Sequence, residues 1–203
     1  MPADSSTGGY LTPTTPGPAT DTDLEDILQV VVVGITGLPG RMVRPRWQRI
    51  PPRQPEVDED WCAIGIERTT PDGQTARIHD GTGDGSTTSR QHLTLDVLAS
   101  FYGPCAEGYA GLLADGLYIA QNREGLLRAG MALIDVAPAV NASDLQNTFW
   151  RRRIDLPFRL RRRIDRTYPI LNIVKVHGTI VAQGGSADGE VITETPFTAP
   201  PES

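Results

Sequence analysis

The stretch that decides the fold is HLTLDVLASFYGPCAEGYAGLLADGLYIAQNREGLLRAGMALID, which runs from His92 to Asp135. Its first part alternates apolar and polar side chains, which is the period of a half-buried strand. The apolar positions of this predicted strand are Leu93, Leu95, Val97, Ala99 and Phe101. The segment Tyr102-Gly103-Pro104 follows and indicates a turn, because glycine and proline interrupt regular structure.

After the turn the apolar spacing changes to three or four residues, which is typical of a helix that buries one stripe. The members of that stripe are Tyr109, Leu112, Leu113, Leu117 and Ala120. Asn122 is predicted to cap a second short helix, Gly130 to end it, and Met131–Val136 to form another strand. The order strand, helix, helix, strand predicts an α+β core.

Upstream of this core, the sequence predicts a first helix that starts near Asp21–Asp23 and ends at Gly37-Leu38-Pro39-Gly40. Acidic residues in its first turn suit the positive end of the helix dipole. The β-branched run Val30–Val33 leaves a buried strand open as an alternative. Arg41–Glu59 is rich in proline and is predicted to lie over the domain as extended chain, with Trp47 as its anchor.

Two further strands are predicted between this connection and the core. Trp61–Thr69 alternates and should form the first strand of the sheet, with Ala76–His79 as its hairpin partner. The loop Asp80–Ser89 loosely resembles a calcium loop. It lacks the carboxylate spacing and closing glutamate of an EF-hand, so we expect a hairpin tip and no metal site.

The most regular alternation in the chain is Trp150–Ile164, WRRRIDLPFRLRRRI. Its even positions are mainly apolar and its odd positions mainly arginine, which predicts one long strand with a core face and an arginine-studded face. Because Pro157 has no N–H group, the strand should lie at a sheet edge or be bulged there. A closing strand is predicted over Leu171–Val181.

The arginine-studded face of that strand has three interpretations. It can face solvent, meet acidic surface on another subunit, or contact nucleic acid through phosphates. The net charge of −6 disfavours nucleic acid as the main partner. The arginines predicted to form a subunit or partner interface, together with Trp47, are Arg151, Arg153, Arg159, Arg161 and Arg163.

The two ends of the chain differ in composition from its centre. Residues 1–22 and 184–203 are rich in Pro, Ser, Thr and Gly and cannot bury enough apolar surface to order themselves. We therefore predict an extended N-terminal arm over 1–22, a single α+β domain over 23–183 and an extended C-terminal arm over 184–203. Neighbouring subunits would be the simplest cause of order in the N-terminal arm.

Composition and motifs exclude several classes of function. No apolar run is long enough to span a bilayer, and the first residues have no signal-peptide pattern, so no membrane contact is expected. Cys62 and Cys105 do not form a metal motif; they are predicted to be thiols, with a disulfide as the alternative. His79, His92 and His177 lie in no nucleophile–base motif, so we predict no catalytic residues, no cofactor and no enzyme activity.

Four segments together resemble the neck- and tail-terminator-like proteins of tailed phages. They are VVVGITGLPGRMVRPRWQ, DWCAIGI, LASFYGPCAEGYAGLLADGLYIAQNRE and WRRRIDLPFRLRRRIDRTYPILNI. The resemblance runs from about Leu24 to Ile180 and leaves out both arms. It is strongest over Gly37–Trp47, Ser100–Glu124 and Trp150–Asn172.

The resemblance implies a mixed or mainly antiparallel sheet packed against two or three helices. It also implies a homo-oligomeric ring, usually a hexamer, that terminates the tail tube. Its partners would be the tail tube protein, head-side connector proteins and, in a contractile phage, the sheath protein. DNA would pass through the lumen without specific binding, and the protein would lie in the virion after assembly in the host cytoplasm. A head-completion or collar protein of the same neck is the alternative, followed by a DNA-contacting module that uses the arginine-rich strand.

Overall fold

The structure is a computed structural model that describes residues 3–50, 52–146, 148–173, 176–183 and 191–199. It divides into two compact units. One is made of Pro16–Arg77 and Ser89–Arg166, and the other of Met1–Thr15, Ile78–Thr88 and Thr167–Ser203. The combination of three α-helices with a mixed, mostly antiparallel sheet confirms the predicted α+β class.

The helices are α1 (Thr22–Thr36), α2 (Ala106–Gly116) and α3 (Glu124–Arg128). The strands up to the long arginine segment are β1 (Val43–Pro45), β2 (Trp61–Pro71), β3 (Ala76–Asp80), β4 (Ser86–Tyr102), β5 (Met131–Val136), β6 (Val140–Asn141), β7 (Asp144–Gln146) and β8 (Phe149–Arg151). The remaining strands are β9 (Arg153–Tyr168), β10 (Val176–Gln183) and β11 (Val191–Ala199). The stretch quoted first therefore folds as predicted, as strand, helix, short helix and strand.

The main sheet has the order β1-β2-β4-β9-β5, with β3 also paired to β4 and β6 to β9. β1 is parallel to β2, whereas β2 with β4, β5 with β9 and β6 with β9 are antiparallel. Two expectations are wrong here. β3 pairs with β4 rather than with β2, and part of the proline-rich connection forms the edge strand β1.

Helices cover one face of this sheet with a continuous apolar core. Leu28 and Val32 of α1 and Leu113 of α2 are at most 1% exposed. They belong to one cluster with alternate residues of the strands, among them Phe101 and Leu160. α1 is a helix although its β-branched run also allowed a strand, and Gly37 ends it in the left-handed conformation with its N–H bonded to the Val33 carbonyl.

The turn between β4 and α2 depends on a contact that the sequence pattern did not reveal. The Asp60 carboxylate accepts a hydrogen bond from the Cys105 N–H (2.8 Å), which satisfies a free donor at the start of α2. Gly103 has a φ of +107°, and a Cβ there would lie 2.4 Å from Asp60 Oδ1. Asn122 was predicted to cap the short helix α3, but its amide donates instead to the Gly116 carbonyl (2.9 Å) at the end of α2.

The long strand also departs from its predicted limits. It begins at Arg153, because Trp150 belongs to the separate hairpin β7–β8 and is 72% exposed. Pro157 lies inside the sheet rather than at its edge. Its carbonyl accepts from the Ala137 N–H (2.9 Å), between the end of β5 and the start of β6. A residue's N–H and C=O point to the same side of an antiparallel strand, so the missing N–H falls where no partner strand continues.

In the other unit, the N-terminal segment bonds to its own chain. The Ser5 N–H donates to the Pro169 carbonyl (3.1 Å) and the Thr14 N–H to the Thr167 carbonyl (2.8 Å). These bonds hold part of the arm against its own chain, and a contribution from neighbouring subunits stays a prediction. Asp4–Thr20 contains no helix or strand, as its composition predicted.

Asn172 organises the loop that was weighed as a calcium site. Its amide nitrogen donates to the Gly81 and Gly83 carbonyls (2.9 and 3.1 Å), and its oxygen lies 2.9 Å from Nε2 of His79. Gly85 has a φ of +96°, and a Cβ there would meet Asn172 Oδ1 at 2.5 Å. The hydrogen bonds of the Asn172 side chain therefore determine the shape of the loop.

The predicted closing strand is also corrected. It starts at Val176 and pairs with β11 in a two-stranded sheet of its own, with Val176 opposite Ala199. Within the predicted C-terminal arm, Val191–Ala199 is therefore a strand, whereas residues 184–190 and 200–203 lie outside the described residues. The predicted domain limits stay a prediction.

Candidate subunit or partner interface

The face of the main sheet opposite the helices carries the predicted interface arginines of β9, and we call it the arginine face. Arg151 belongs to the separate hairpin β7–β8, and its guanidinium group reaches the Tyr102 ring on this face. Along β9, the inward residues from Ile154 to Ile164 are buried, whereas outward Arg159, Arg161 and Arg163 are exposed. This alternation was predicted from the sequence. Inward Arg162 is an exception to the apolar pattern, since it is only 5% exposed.

Two stacked aromatic rings lie where β2 begins and β4 ends, and we call this part of the arginine face its inner end. Trp61 and Tyr102 are cross-strand partners, with ring centroids 4.2 Å apart and planes inclined by 9°. The guanidinium groups of Arg151 and Arg153 lie 4.9 and 5.7 Å from the Tyr102 centroid. Arg44 lies 5.8 Å from the Trp61 ring, so cations approach both rings within cation–π distance.

A polar cluster next to these rings joins β1, β4 and β9. Ser100 is fully buried and hydrogen bonds to Arg46 and to Asp155. Arg153 also donates to both carboxylate oxygens of Asp155, from Nε at 2.8 Å and from Nη2 at 2.7 Å. The carboxylate raises the pKa of Arg153, chiefly by hydrogen bonding. The buried Ser100 hydroxyl on β4 and the Arg153–Asp155 pair on β9 satisfy one another's hydrogen bonds. Together with Arg46, which directly follows β1, they fix how these strands align at this point.

Single aspartates distributed over the sheet pair with the arginines of this face. The pairs are Arg68–Asp96, Arg90–Asp165, Arg151–Asp144, Arg153–Asp155, Arg159–Asp135, Arg161–Asp72 and Arg163–Asp165. Several are two-pronged, as in Arg159–Asp135, with distances of 2.8 and 2.6 Å. The sequence analysis missed these partners, because it looked for acidic clusters and the aspartates are single residues far apart in the chain.

The pKa values of the aspartates follow this pairing. Hydrogen bonds from Arg90, Arg151 and Arg159 hold the pKa of Asp165, Asp144 and Asp135, respectively, below its usual range. Arg162 behaves in the opposite way, because burial lowers its pKa and the charge of Arg166 lowers it further. One donor of Arg162 reaches the Ala19 carbonyl, while its Nε is buried without an acceptor among the described residues.

The pairing of the arginines with aspartates changes how well this face could bind nucleic acid or protein. An arginine already matched by an intramolecular carboxylate has less net charge to offer to phosphates, which weakens the DNA-contacting interpretation. The remaining donor positions and the exposed guanidinium faces can still meet a protein partner. The pairing therefore disfavours nucleic acid, and the interface role of these arginines stays a prediction.

Trp47 does not anchor the proline-rich connection, since its side chain is 65% exposed. Its indole nitrogen lies close to Gly65, where a Cβ would be 3.4 Å away, and Arg46 lies 6.0 Å from its ring. Val43, with no exposed surface, fixes this segment instead. An exposed tryptophan is typical of a contact surface, so Trp47 stays a predicted interface residue.

Cys62 and Cys105, predicted to be thiols with a disulfide as the alternative, are both free thiols. Cys62 is fully buried on the helix-covered face, and burial raises its pKa far above the usual range. Cys105 is exposed, and its hydrogen bond to Asp60 raises its pKa. Because Cys62 is buried, another subunit could reach Cys105 but not Cys62.

The sequence matches the phage neck terminator protein family over residues 22–185. The match covers most of the chain, so the protein belongs to this family. No curated protein matches the sequence. The family is one of structural proteins of the phage neck, which agrees with a face organised by ion pairs and stacked aromatics.

Two further findings concern other kinds of site. In the described part of the chain, no helix has the length and apolar character needed to cross a membrane. Among the same residues, no cluster of His, Cys, Asp and Glu is arranged to hold a metal ion.

Proposed function

We propose that this protein forms a closed ring in the phage neck that terminates the tail tube and joins it to the head-side connector. The family match over residues 22–185 carries this proposal. In a contractile phage the same ring would also bind the last layer of sheath. The ring is proposed to be a hexamer located in the virion.

The arginine face supports the proposal as a surface for protein contact. It combines a fixed aromatic centre at Trp61 and Tyr102 with exposed arginines along β9. Aromatic residues and arginine are enriched among the residues that dominate the binding energy of protein interfaces. Trp47 and Trp150, 65% and 72% exposed, add apolar surface that a partner could cover.

The lumen of the proposed ring must let DNA pass without holding it. A lining of arginines without counter-charges would bind DNA tightly, since each one releases counterions from the phosphates. Pairing with aspartates reduces that attraction. The arginine face is therefore compatible with a subunit contact or with a lumen that binds DNA weakly.

Mass measurement tests the proposal directly. The purified chain, alone and mixed with purified tail tubes, is analysed by light scattering and electron microscopy. We expect one ring at the head-proximal end of each tube and a discrete oligomer mass. A chain that stays monomeric and binds neither tube nor connector would contradict the proposal. Density on the head side of the connector instead would identify a head-completion protein.

A further inference from the structure

A small pocket at the inner end of the arginine face differs in charge from the rest of that face. Arg44, Arg46, Trp61 and Tyr102 line it, and we call it the arginine–aromatic pocket. Its volume is about 190 Å³. Small-molecule sites usually measure about 300–1,000 Å³. This pocket is therefore suited to one or two side chains of a protein partner.

The arginines of this pocket lack the carboxylate partners found elsewhere on the face. Arg44 donates to the Arg41 and Arg53 carbonyls (3.1 and 2.8 Å), and Arg46 donates to Ser100. Among the described residues neither forms an ion pair. The Nε–H of Arg46 is buried without an acceptor, which is a costly state for a charged donor. The pocket therefore carries positive charge that no carboxylate among the described residues of its own chain neutralises.

The same compact unit carries acidic side chains that are also unused. Asp21, Asp23, Glu25 and Asp26 lie at the start of α1, and no side-chain hydrogen bond or ion pair involves them among the described residues. Partial burial, together with the charges of Asp26 and Asp21, raises the pKa of Glu25. The exposed carboxylates of Asp23 and Asp26 therefore remain available to a positively charged partner.

The other acidic run of the chain is already engaged. Glu56 pairs with Arg53 at 2.6 Å, and Glu59 accepts a hydrogen bond from the Glu56 N–H (3.0 Å). Asp60 holds the start of α2 through the Cys105 N–H. Of these two acidic runs, the start of α1 is therefore the one without such contacts among the described residues.

We propose that the acidic start of α1 in one copy docks into the arginine–aromatic pocket of the next copy. The proposal rests on the ring proposed above and names one of its contacts. Two different surfaces meet, so the contact is head-to-tail, and repeating it by rotation closes a ring. Carboxylates from the neighbour supply the negative charge that Arg44 and Arg46 lack, next to aromatic rings that exclude water and strengthen the ion pairs.

Charge reversal on each side tests this contact. The basic variant, Asp23→Arg with Asp26→Arg, changes only exposed side chains of the helix start, and the acidic variant is Arg44→Glu. Each alone should lower the assembly constant at least tenfold, because every junction of the ring then opposes like charges. Assembly is measured by native mass spectrometry and by ring counts on tail tubes.

Mixing the two defective variants gives the sharper result. In an alternating ring, the arginines of the basic variant meet the glutamate of the acidic variant, and the native acidic start meets the native pocket. The equimolar mixture should therefore recover assembly, provided that the ring has an even number of subunits. Recovery in the mixture cannot arise from misfolding, since each variant would carry its folding defect into the mixture.

Arg77→Glu serves as the matched control, because it makes the same change of charge at an exposed residue outside the pocket. It should assemble like the wild type. The inference is overturned if both reversals assemble normally, or if the mixture stays defective while wild-type rings form. It is also overturned if Arg44→Glu loses only tube binding, since the occupant would then be the tube protein. Absence of wild-type rings under all conditions would instead contradict the proposed function itself.

Discussion

The helix-covered face and the arginine face are built from alternate residues of the same strands, yet they are held together by different forces. On β4, Phe101 is fully buried against the helices, whereas the neighbouring Ser100 is buried in a network of charge-assisted hydrogen bonds. Apolar burial contributes roughly 25 cal/mol per Å², while exposed ion pairs contribute about 0–1 kcal/mol each. The comparison indicates that the helix-covered face determines folding and that the arginine face is available for partners.

The largest effect is expected from a charge on the helix-covered face. Leu113→Asp places a carboxylate at a fully buried position of α2. Loss of the side chain and burial of an unpaired charge should cost at least about 4 kcal/mol, which is close to the lower end of the roughly 5–15 kcal/mol that stabilises a typical domain, so we expect a largely unfolded variant. Circular dichroism and urea denaturation measure the result.

Leu112→Asp is the matched control, since the adjacent side chain is 53% exposed. This variant should fold with nearly unchanged stability. If both variants unfolded to the same extent, α2 would not pack as described and the contrast between the two faces would lose its basis.

The second effect concerns the inner end of the arginine face. Asp155→Ala removes the acceptor of Arg153 and Ser100, and the Asp155 side chain is only 16% exposed. Hydrogen bonds that involve charged groups contribute about 1.5–3 kcal/mol each, so we expect a loss of about 2 kcal/mol in the free energy of unfolding. Asp135→Ala removes a more exposed partner of Arg159 and should leave the denaturation midpoint unchanged within error. If both variants lost the same free energy of unfolding, the contribution of an ion pair on this face would not depend on its burial.

The third prediction separates folding from assembly. Replacing Arg159, Arg161 and Arg163 together by glutamine removes exposed charges from the outer end of the face. The subunit should keep its melting temperature within a few degrees but form fewer rings on tail tubes. Arg128→Gln, at an exposed ion pair on α3, is the control and should change neither property. Normal ring formation by the triple variant would remove the outer arginines from the interface.

The smallest effect is expected on changing the pH. Asp165 and Asp144 have pKa values held below the usual range by Arg90 and Arg151, so their ionised forms stabilise the folded state. That contribution is complete above the ordinary aspartate pKa of about 4 and is lost as the pH falls through the depressed folded values. Stability measured by urea denaturation should therefore decline below about pH 4. Asp165→Asn should decline less steeply, and an identical slope would contradict the pairing.

The same contrast explains which parts of the structure the sequence could predict. Periodicity identified α1, α2, β4 and β9, because burial on one face imposes a repeat that can be read locally. The ion pairs could not be predicted, since Arg161 and Asp72 meet only after β9 and the end of β2 have taken their places. Asp60 at the start of α2 and Asn172 in the glycine loop are further long-range contacts without a local signal.

Local sequence patterns mislead where the alternation of a strand continues past the end of the strand, or where the pairing of neighbouring strands decides the structure. Trp150 continues the alternation of β9 but lies in another hairpin, exposed to solvent. Pro157 indicated that the strand lies at an edge or is bulged, and the residue lies opposite the gap between β5 and β6. In both cases the neighbouring strands decide the outcome, and their positions are not encoded in the segment itself.

The two cysteines give the protein a built-in labelling pair. Cys105 is exposed and should react with a thiol reagent at a rate set by its raised pKa, whereas Cys62 can react only when the sheet separates from its helices. The slower rate therefore measures opening of the subunit, and the faster one serves as its internal reference. Comparing both rates before and after the protein binds to tail tubes would report how far incorporation into the neck locks the fold, without any engineered probe.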